Sequence, residues 1–400
     1  MKKILFCIAI LVSVNVLVAQ FSCNSTRLED VPGSGRYWAT ACSNNEYALT
    51  GGGIAEFNGS NLADFYLYNF STNEWTRVDD YPAGPHQGMM SFVINGRFFA
   101  GFGSPFIQWS NKLYELDLEN GTWMPRADAP LPAAYHQAYV ANGKAYIFPT
   151  YQNNTPNIIE YDPELDSWRI MMSYDAADVQ TYSIGFTIDN IIYHGMGYHD
   201  ISSPSKRWYK FDPSTETLTQ LNELNAGGAG RQSSAFKIGN TGYMYNVSPG
   251  RLMIRYDVLT DSWEQMCNFA EERFANSSAF GNDEYGYVVF GTYSGSSGNI
   301  SSNQLWQFEP IDLSSNVDEL EVFYQIYSGG DGLLHFNLAK PGYYHAKLFD
   351  LTGKLVKDEY IQADHFGFTR SISYAEMSGI YILQLNDEHG KTVKTAKVYF

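Results

Sequence analysis

"YDPELDSW", Tyr161–Trp168, returns almost unchanged as "YDVLTDSW" at Tyr256–Trp263. Taking the residue seven places before each tryptophan as an anchor finds two more copies, "YNFSTNEW" from Tyr68 and "LDLENGTW" from Leu116. A degenerate copy, "FDPSTETL", starts at Phe211 with Leu218 in the tryptophan position, and a truncated one, "FEP", starts at Phe308. Successive anchors lie 48, 45, 50, 45 and 52 residues apart. Six units spaced so evenly are a repeat architecture.

Every unit follows one grammar. A strand of small residues comes first, such as Met89–Ile94 or Ser233–Ile238. A tight turn follows ("NG" at Asn95–Gly96 and Asn142–Gly143, "DN" at Asp189–Asn190, "GN" at Gly239–Asn240), made of residues that tolerate positive φ. The second strand ends in glycine or small residues: "ALTGGG", "FFAGFG", "IIYHGMG", "YVVFG". A variable loop leads to a third strand, and the Asp-Pro-x-x-Asp turn then starts a fourth. Four antiparallel strands per ~50 residues predict propeller blades, with one tryptophan per blade filling the gap between neighbouring twisted sheets. Composition agrees: 16% aromatic, 17% charged, 35 Gly and 30 Tyr suit many short strands rather than helices.

The grammar, with its glycine pair, Tyr-Asp and later Trp, resembles the kelch repeat over roughly residues 22–313. The fold this implies is all-β, a six-bladed kelch-type β-propeller over residues 20–313. The sixth unit stops after "LWQFEP", one strand short, while Asn24–Arg36 reads as an orphan fourth strand with Leu28 in the tryptophan slot. Residues 22–30 are therefore expected to complete the last blade and close the ring, since an open ring leaves strand edges unpaired.

Residues 1–19 read as a signal peptide: Lys2 and Lys3, the apolar stretch Ile4–Val18, then a small-residue cleavage point after Ala19. No other segment approaches twenty apolar residues, so no membrane span is expected. Loss of the two lysines takes the net charge of −17 to about −19, which argues against nucleic acid as a partner. Cys23, Cys42 and Cys267 remain, enough for one bridge at most.

Residues 314–320 read as a linker to a small β-sandwich, Ig-like in size, at 321–400. "LFDLTGKLV" (Leu348–Val356) and "MSGIYILQL" (Met377–Leu385) resemble the C-terminal sorting domain of type IX secretion substrates. That domain's usual Pro-Asn-Pro start and terminal lysine are absent. The resemblance implies export to the periplasm, then secretion or display at the cell surface, with the secretion machinery as one partner.

A ligand belongs on the face carrying the long loops and the mouth of the central channel. One residue per unit is expected at the start of each first strand around that mouth: Arg36, His86, His136, a polar residue near Gln180–Tyr182, Arg231 and Arg273. In kelch domains that hold acidic peptides, an arginine in this slot contacts ligand carboxylates, and the resemblance carries that role to Arg36, Arg231 and Arg273. Such an arginine can equally bond carbonyls of a neighbouring blade. Trp109, Tyr151, Tyr198 and Tyr293 in the same loops, beside amides such as Asn153, suit sugar rings.

These features favour a non-catalytic binder of an acidic glycan or polypeptide. The alternative is an acidic-sugar epimerase resembling the sialic acid (N-acetylneuraminate) mutarotase, with Glu56, Glu115 or His136 as acid/base. No cofactor is implied. His86 and His136 find no third ligand at metal-binding spacing, and Cys42 has no partner set for a copper-radical oxidase.

Overall fold

The computed structural model describes residues 22–399 apart from 57–58, 107, 149–156, 174–181, 199–204, 225–232, 247–250, 271–273, 296–297, 312–324, 329–332, 339–341, 364–367, 374–379, 388–389 and 391. The proposed signal peptide and linker lie outside the described residues. Every regular element among those described is a β-strand. The chain divides into two compact units, Phe21–Pro310 and the segment from Ile311 onward.

The first unit contains six four-stranded antiparallel sheets among the described residues. Their inner strands are Thr40–Ser43, Met90–Ile94, Ala138–Ala141, Ile184–Ile188, Ser234–Ile238 and Ser278–Gly281. Each neighbours the next, and the last neighbours the first, so the sheets form a closed ring that fits a β-propeller. Five sheets are consecutive stretches of chain. The sixth takes its outer strand, Ser22–Arg27, from the N-terminus, beside Leu305–Ile311. Asn24 donates its side-chain amide to Glu309 at 2.9 Å, and the backbone N–H groups of Leu28 and Val31 reach the carbonyls of Leu305 and Asn303. A disulfide between Cys23 and Cys267, Cα atoms 6.0 Å apart, joins this strand to the outer strand of the fifth sheet, Ser262–Asn268.

Local chemistry explains the elements. Asn95–Gly96, Asn142–Gly143 and Asp189–Asn190 all take positive φ, as two-residue hairpins require. In the opening motif, the Asp162 carboxylate accepts the N–H groups of Glu164 and Leu165, while the Tyr161 hydroxyl donates to Asp166 at 2.8 Å. The Trp168 ring lies 4.8 Å from Tyr161, and its indole N–H donates to the Ala127 carbonyl, at the edge of the preceding sheet. Trp123 does the same to Asp79, and Trp75 to Glu29 beside the closing strand. In these three units the tryptophan is thus a hydrogen-bonded strut between successive sheets, whereas Trp263 meets the fourth sheet through its ring alone, 5.0 Å from Trp208, with its indole N–H unpartnered.

The second unit holds two antiparallel sheets. One contains Gln325–Ser328, Leu333–Leu338 and Phe368–Ser373; the other contains Leu355–Ala363, Gly342–Phe349, Ile380–Asn386 and Thr392–Tyr399. "LFDLTGKLV" forms a hairpin here. The Asp350 carboxylate accepts the N–H groups of Thr352 and Lys354, and Gly353 takes a φ of +85°.

Candidate binding site at the channel mouth

The chain enters successive inner strands through a residue in left-handed conformation. Trp38, Gly88, Tyr135, Tyr182 and Asn276 have φ of 53°, 61°, 63°, 55° and 56°. The Trp38 N–H donates to the Asn276 carbonyl at 3.2 Å, the Gly88 N–H to Trp38 at 2.9 Å, and the Tyr135 N–H to Gly88 at 2.8 Å. These bonds form a peptide girdle from the sixth sheet to the third. Left-handed backbone costs a bulky residue about 1–3 kcal/mol, so it persists only where neighbours enforce it. At Gly88 a Cβ would stand 2.4 Å from the Tyr135 ring, so this position must be glycine for that ring to lie where it does.

The girdle gathers aromatic rings. Tyr135 lies 5.2 Å from Trp38, 5.4 Å from Tyr182 and 6.4 Å from Trp109. Tyr182 stacks on Trp38 at 6.5 Å and meets Tyr198 at 6.3 Å. The Trp38 indole N–H donates to the Asn276 side chain at 3.1 Å, which fixes its orientation. All five rings are half-buried, leaving part of each available. Offset and edge-on aromatic pairs of this kind hold one another in place without consuming all of their faces.

Below them lies a chamber of about 140 Å³, lined by the girdle and the inner strands. Its described lining holds Thr40, Ser91, Ser183 and Ser233, with no Asp, Glu, Lys or Arg. Gln137 also lines it and ties the third sheet to the fourth and fifth. Its amide nitrogen donates to the Ala235 carbonyl at 3.0 Å, two sheets away, and its oxygen accepts the Gly185 N–H at 2.7 Å. On the other side a second chamber of about 500 Å³ shares Ala41, Ser91, Gln137, Ala138 and Ala279 with the first. His136 lines the upper chamber. Its Nδ1 is 3.0 Å from the Ser183 hydroxyl, and its buried Nε2 has no protein partner. Burial lowers its pKa to about 3, so the ring is neutral.

Of the residues expected at the mouth, Trp109 and Tyr198 join the aromatic cluster. Arg36 does not face a ligand. It is 0% exposed. Its two terminal nitrogens meet the Asp64 carboxylate at 2.7 and 2.8 Å, Nη1 also reaches the Gly52 carbonyl, and Nε donates to Ser34. Its guanidinium lies 5.0 Å from the Phe290 ring, across the seam with the sixth sheet. Burial pushes the Asp64 carboxyl up, but the Arg36 hydrogen bonds and charge outweigh it and hold that group below its usual range.

His86 is also structural: it is buried, with Nδ1 2.9 Å from the Gly84 carbonyl and its ring against Tyr81. Nor is His136 its counterpart. The carbonyls of Arg36, His86 and Ala133 each accept an N–H from a glycine closing the preceding sheet: Gly291, Gly53 and Gly103. That register puts Ala133 in the slot and His136 three residues further on. Tyr293 packs on Phe274 at 5.9 Å, in the short hairpin Thr292–Gly295/Gly298–Ser301. Arg231, Arg273 and Tyr151 lie outside the described residues.

Glu115 is bound by Arg97 and Arg126. Burial raises its pKa, but the two arginines prevail and hold it below the usual range. Cys42 is a free buried thiol, pushed up to about 12 by burial. No group of three metal-ligating side chains occurs among the described residues. The ring residues that sequence reasoning missed are Trp38 and Tyr135; of the stretch Gln180–Tyr182 expected at the mouth, Tyr182 joins the cluster and the other two lie outside the described residues. The shared signal was an aromatic just ahead of each small-residue strand, in "RYWATA", "AAYHQA" and "QTYSIG".

No protein-family model matches the chain, and no curated protein matches it. Among solved structures it is similar to one described as "Structure of YjhT", with a TM-score of 0.56 and 14% identity, over 69% of this chain and 95% of that one. At that identity the likeness bears on the fold alone, and it agrees with a propeller-type ring.

Proposed function

We propose that the chain is an exported six-bladed kelch-type propeller that binds a glycan or polypeptide at the channel mouth without transforming it. The second unit would be an Ig-like sandwich of the type IX sorting kind, which carries the propeller to the cell surface or medium. The observation that carries the binding role is the cluster of half-buried rings around Trp38 and Tyr135 over a hydroxyl-lined chamber. Flat rings beside hydroxyls and amides suit sugars, which offer apolar faces and polar edges. Arg36 is committed to Asp64 and is not free for an acidic ligand, and Arg231 and Arg273 lie outside the described residues.

Mutarotation of an acidic sugar at the same mouth is less well supported. It needs an acid/base group. Glu115 is held as a carboxylate by two arginines, His136 is too weakly basic to take a proton near neutral pH, and Glu56, exposed just after the strand Ile54–Ala55, does not line the chamber.

Thermal melting of the protein against N-acetylneuraminate, uronic acids, acidic peptides and neutral sugars tests the binding role, because a ligand of the native state raises the melting temperature. A rise that disappears in Trp38→Ala is expected. A flat response across the panel would leave the platform without a ligand role, and accelerated anomer exchange by NMR would replace binding with catalysis.

A further inference from the structure

In the third strand of each sheet one residue stands two places before the turn: Leu67, Glu115, Glu160, Lys210, Arg255 and Gln307. Where this residue is charged, its own sheet supplies the opposite charge in three cases of four. Glu115 meets Arg97 and Arg126 at 2.7 and 2.6 Å. Glu160 meets Lys144 and Arg169 at 2.9 and 2.7 Å. Arg255 meets Glu264, directly opposite on the fourth strand, at 2.7 Å. Lys210 is the fourth case. It stands between Tyr193 and Thr219 on the flanking strands and has no ion-pair partner among the described residues.

Thr219 thus holds the place that Glu264 fills one sheet further on. Threonine is shorter and uncharged, and over the fourth sheet a cleft of about 310 Å³ lies open, lined by Ile191, Tyr193, Lys210, Asp212, Thr217 and Thr219. Lys210, Thr217 and Thr219 are exposed, so the lining offers an ammonium and two hydroxyls as donors. Asp212 does not exclude an anion: its carboxylate accepts the N–H and hydroxyl of Ser214, and its counterpart Asp257 tolerates the Arg255–Glu264 pair two residues away. Burial, and then the charges of Asp189 and Asp261, raise the Tyr193 pKa, so an anion belongs at the Thr219 end of the cleft.

The cleft has room for roughly ten waters, enough for one side chain. Tyr193 gives a sugar no flat face to stack on, because its ring packs against Phe186 at 6.0 Å and Tyr256 at 5.6 Å. A side-chain carboxylate, by contrast, finds the setting in which this chain already holds Glu264. The cleft adjoins the turn at Asp189–Asn190, at the other end of the fourth sheet from Tyr182 and Tyr198. We propose that it receives an aspartate or glutamate side chain of a polypeptide partner, whose carboxylate pairs with Lys210 while Thr219 donates a hydrogen bond. This is a second contact surface, independent of any ligand at the channel mouth.

Two measurements on the full chain test it. Thr219→Glu supplies from within the carboxylate that the cleft lacks. The melting temperature at low salt should rise by about 1–3 °C, and the rise should vanish when Lys210→Met is also present. No rise, or an equal one with Lys210→Met, would overturn the pairing. The second is methyl NMR with Ile191 as reporter, titrating a heptapeptide that carries one glutamate among neutral residues, its glutamine counterpart, and glucuronate. The glutamate peptide should move the Ile191 signal, the glutamine peptide should not, and Thr219→Glu should weaken the response at least tenfold. Equal affinity for glucuronate would give the cleft to acidic sugars instead, and no response to any probe would remove the partner.

Discussion

His194 sits between sheets with its ring 4.1 Å from Phe148 and both nitrogens without a protein partner. Burial, and then the neighbouring His136, lower its pKa to about 3, and burial alone does the same to His136. Unfolded, both rings titrate near 6.5. The unfolded chain therefore takes up protons first as pH falls. The stability these neutral rings contribute is complete above pH 6.5 and declines steadily towards pH 3. The melting temperature should hold from pH 8 to 7 and drop from 6.5 to 5, before the carboxylates begin to titrate. In His194→Phe that slope should shrink by up to about 1.4 kcal/mol per pH unit, the contribution of one proton, measured by urea unfolding across the range. Arg36→Ala should cost about 3–5 kcal/mol in the same assay, because it leaves the Asp64 carboxylate partly buried and unpaired. A loss below 1 kcal/mol would contradict the structural role assigned to Arg36. The sequence reading of this ring went astray because it followed charged side chains. The repeat register is set by backbone bonds, which no side-chain pattern reports. Those bonds make Ala133 the counterpart of Arg36, and His136 falls outside the series.

At the scale of the element, the repeated tryptophan is more than packing. Trp168 touches Phe102 edge-on at 5.7 Å and Tyr161 at 4.8 Å while bonding the Ala127 carbonyl, so one side chain joins two sheets. Trp168→Ala should therefore destabilise by about 3 kcal/mol, whereas Leu218→Ala, at the position where the motif lacks its tryptophan, should cost clearly less, both read by denaturant melts. Equal costs would show that the strut adds nothing to ordinary burial. This layer was the most legible in the sequence. Its signals are local, a turn that needs positive φ and a carboxylate that caps it, and the strand boundaries follow from them. The aromatic girdle was harder to read, because left-handed Trp38, Tyr135 and Tyr182 break the rule that such positions prefer glycine or asparagine. Only Gly88 and Asn276 in the same series obey it.

For the molecule as a whole, the closing strand could be inferred because the last unit is one strand short. The pairing of Cys23 with Cys267 could not, since Cys23, Cys42 and Cys267 allow three choices and only the ring brings these two together. Replacing both by serine should lower stability by about 2–5 kcal/mol and loosen the sixth sheet first, seen as faster amide exchange across Leu305–Ile311 than elsewhere in the ring. Uniform exchange would mean that the bridge does not hold that seam. The seam also sets a timetable for biosynthesis. Asn24 and its partner Glu309 are 285 residues apart, so at about 5–20 residues per second the first strand leaves the ribosome roughly 15–60 s before its mate exists. During that interval the nascent chain has no complete ring to fold into. A polypeptide that stays unfinished until its end is made is one that can still be threaded through a translocation pore.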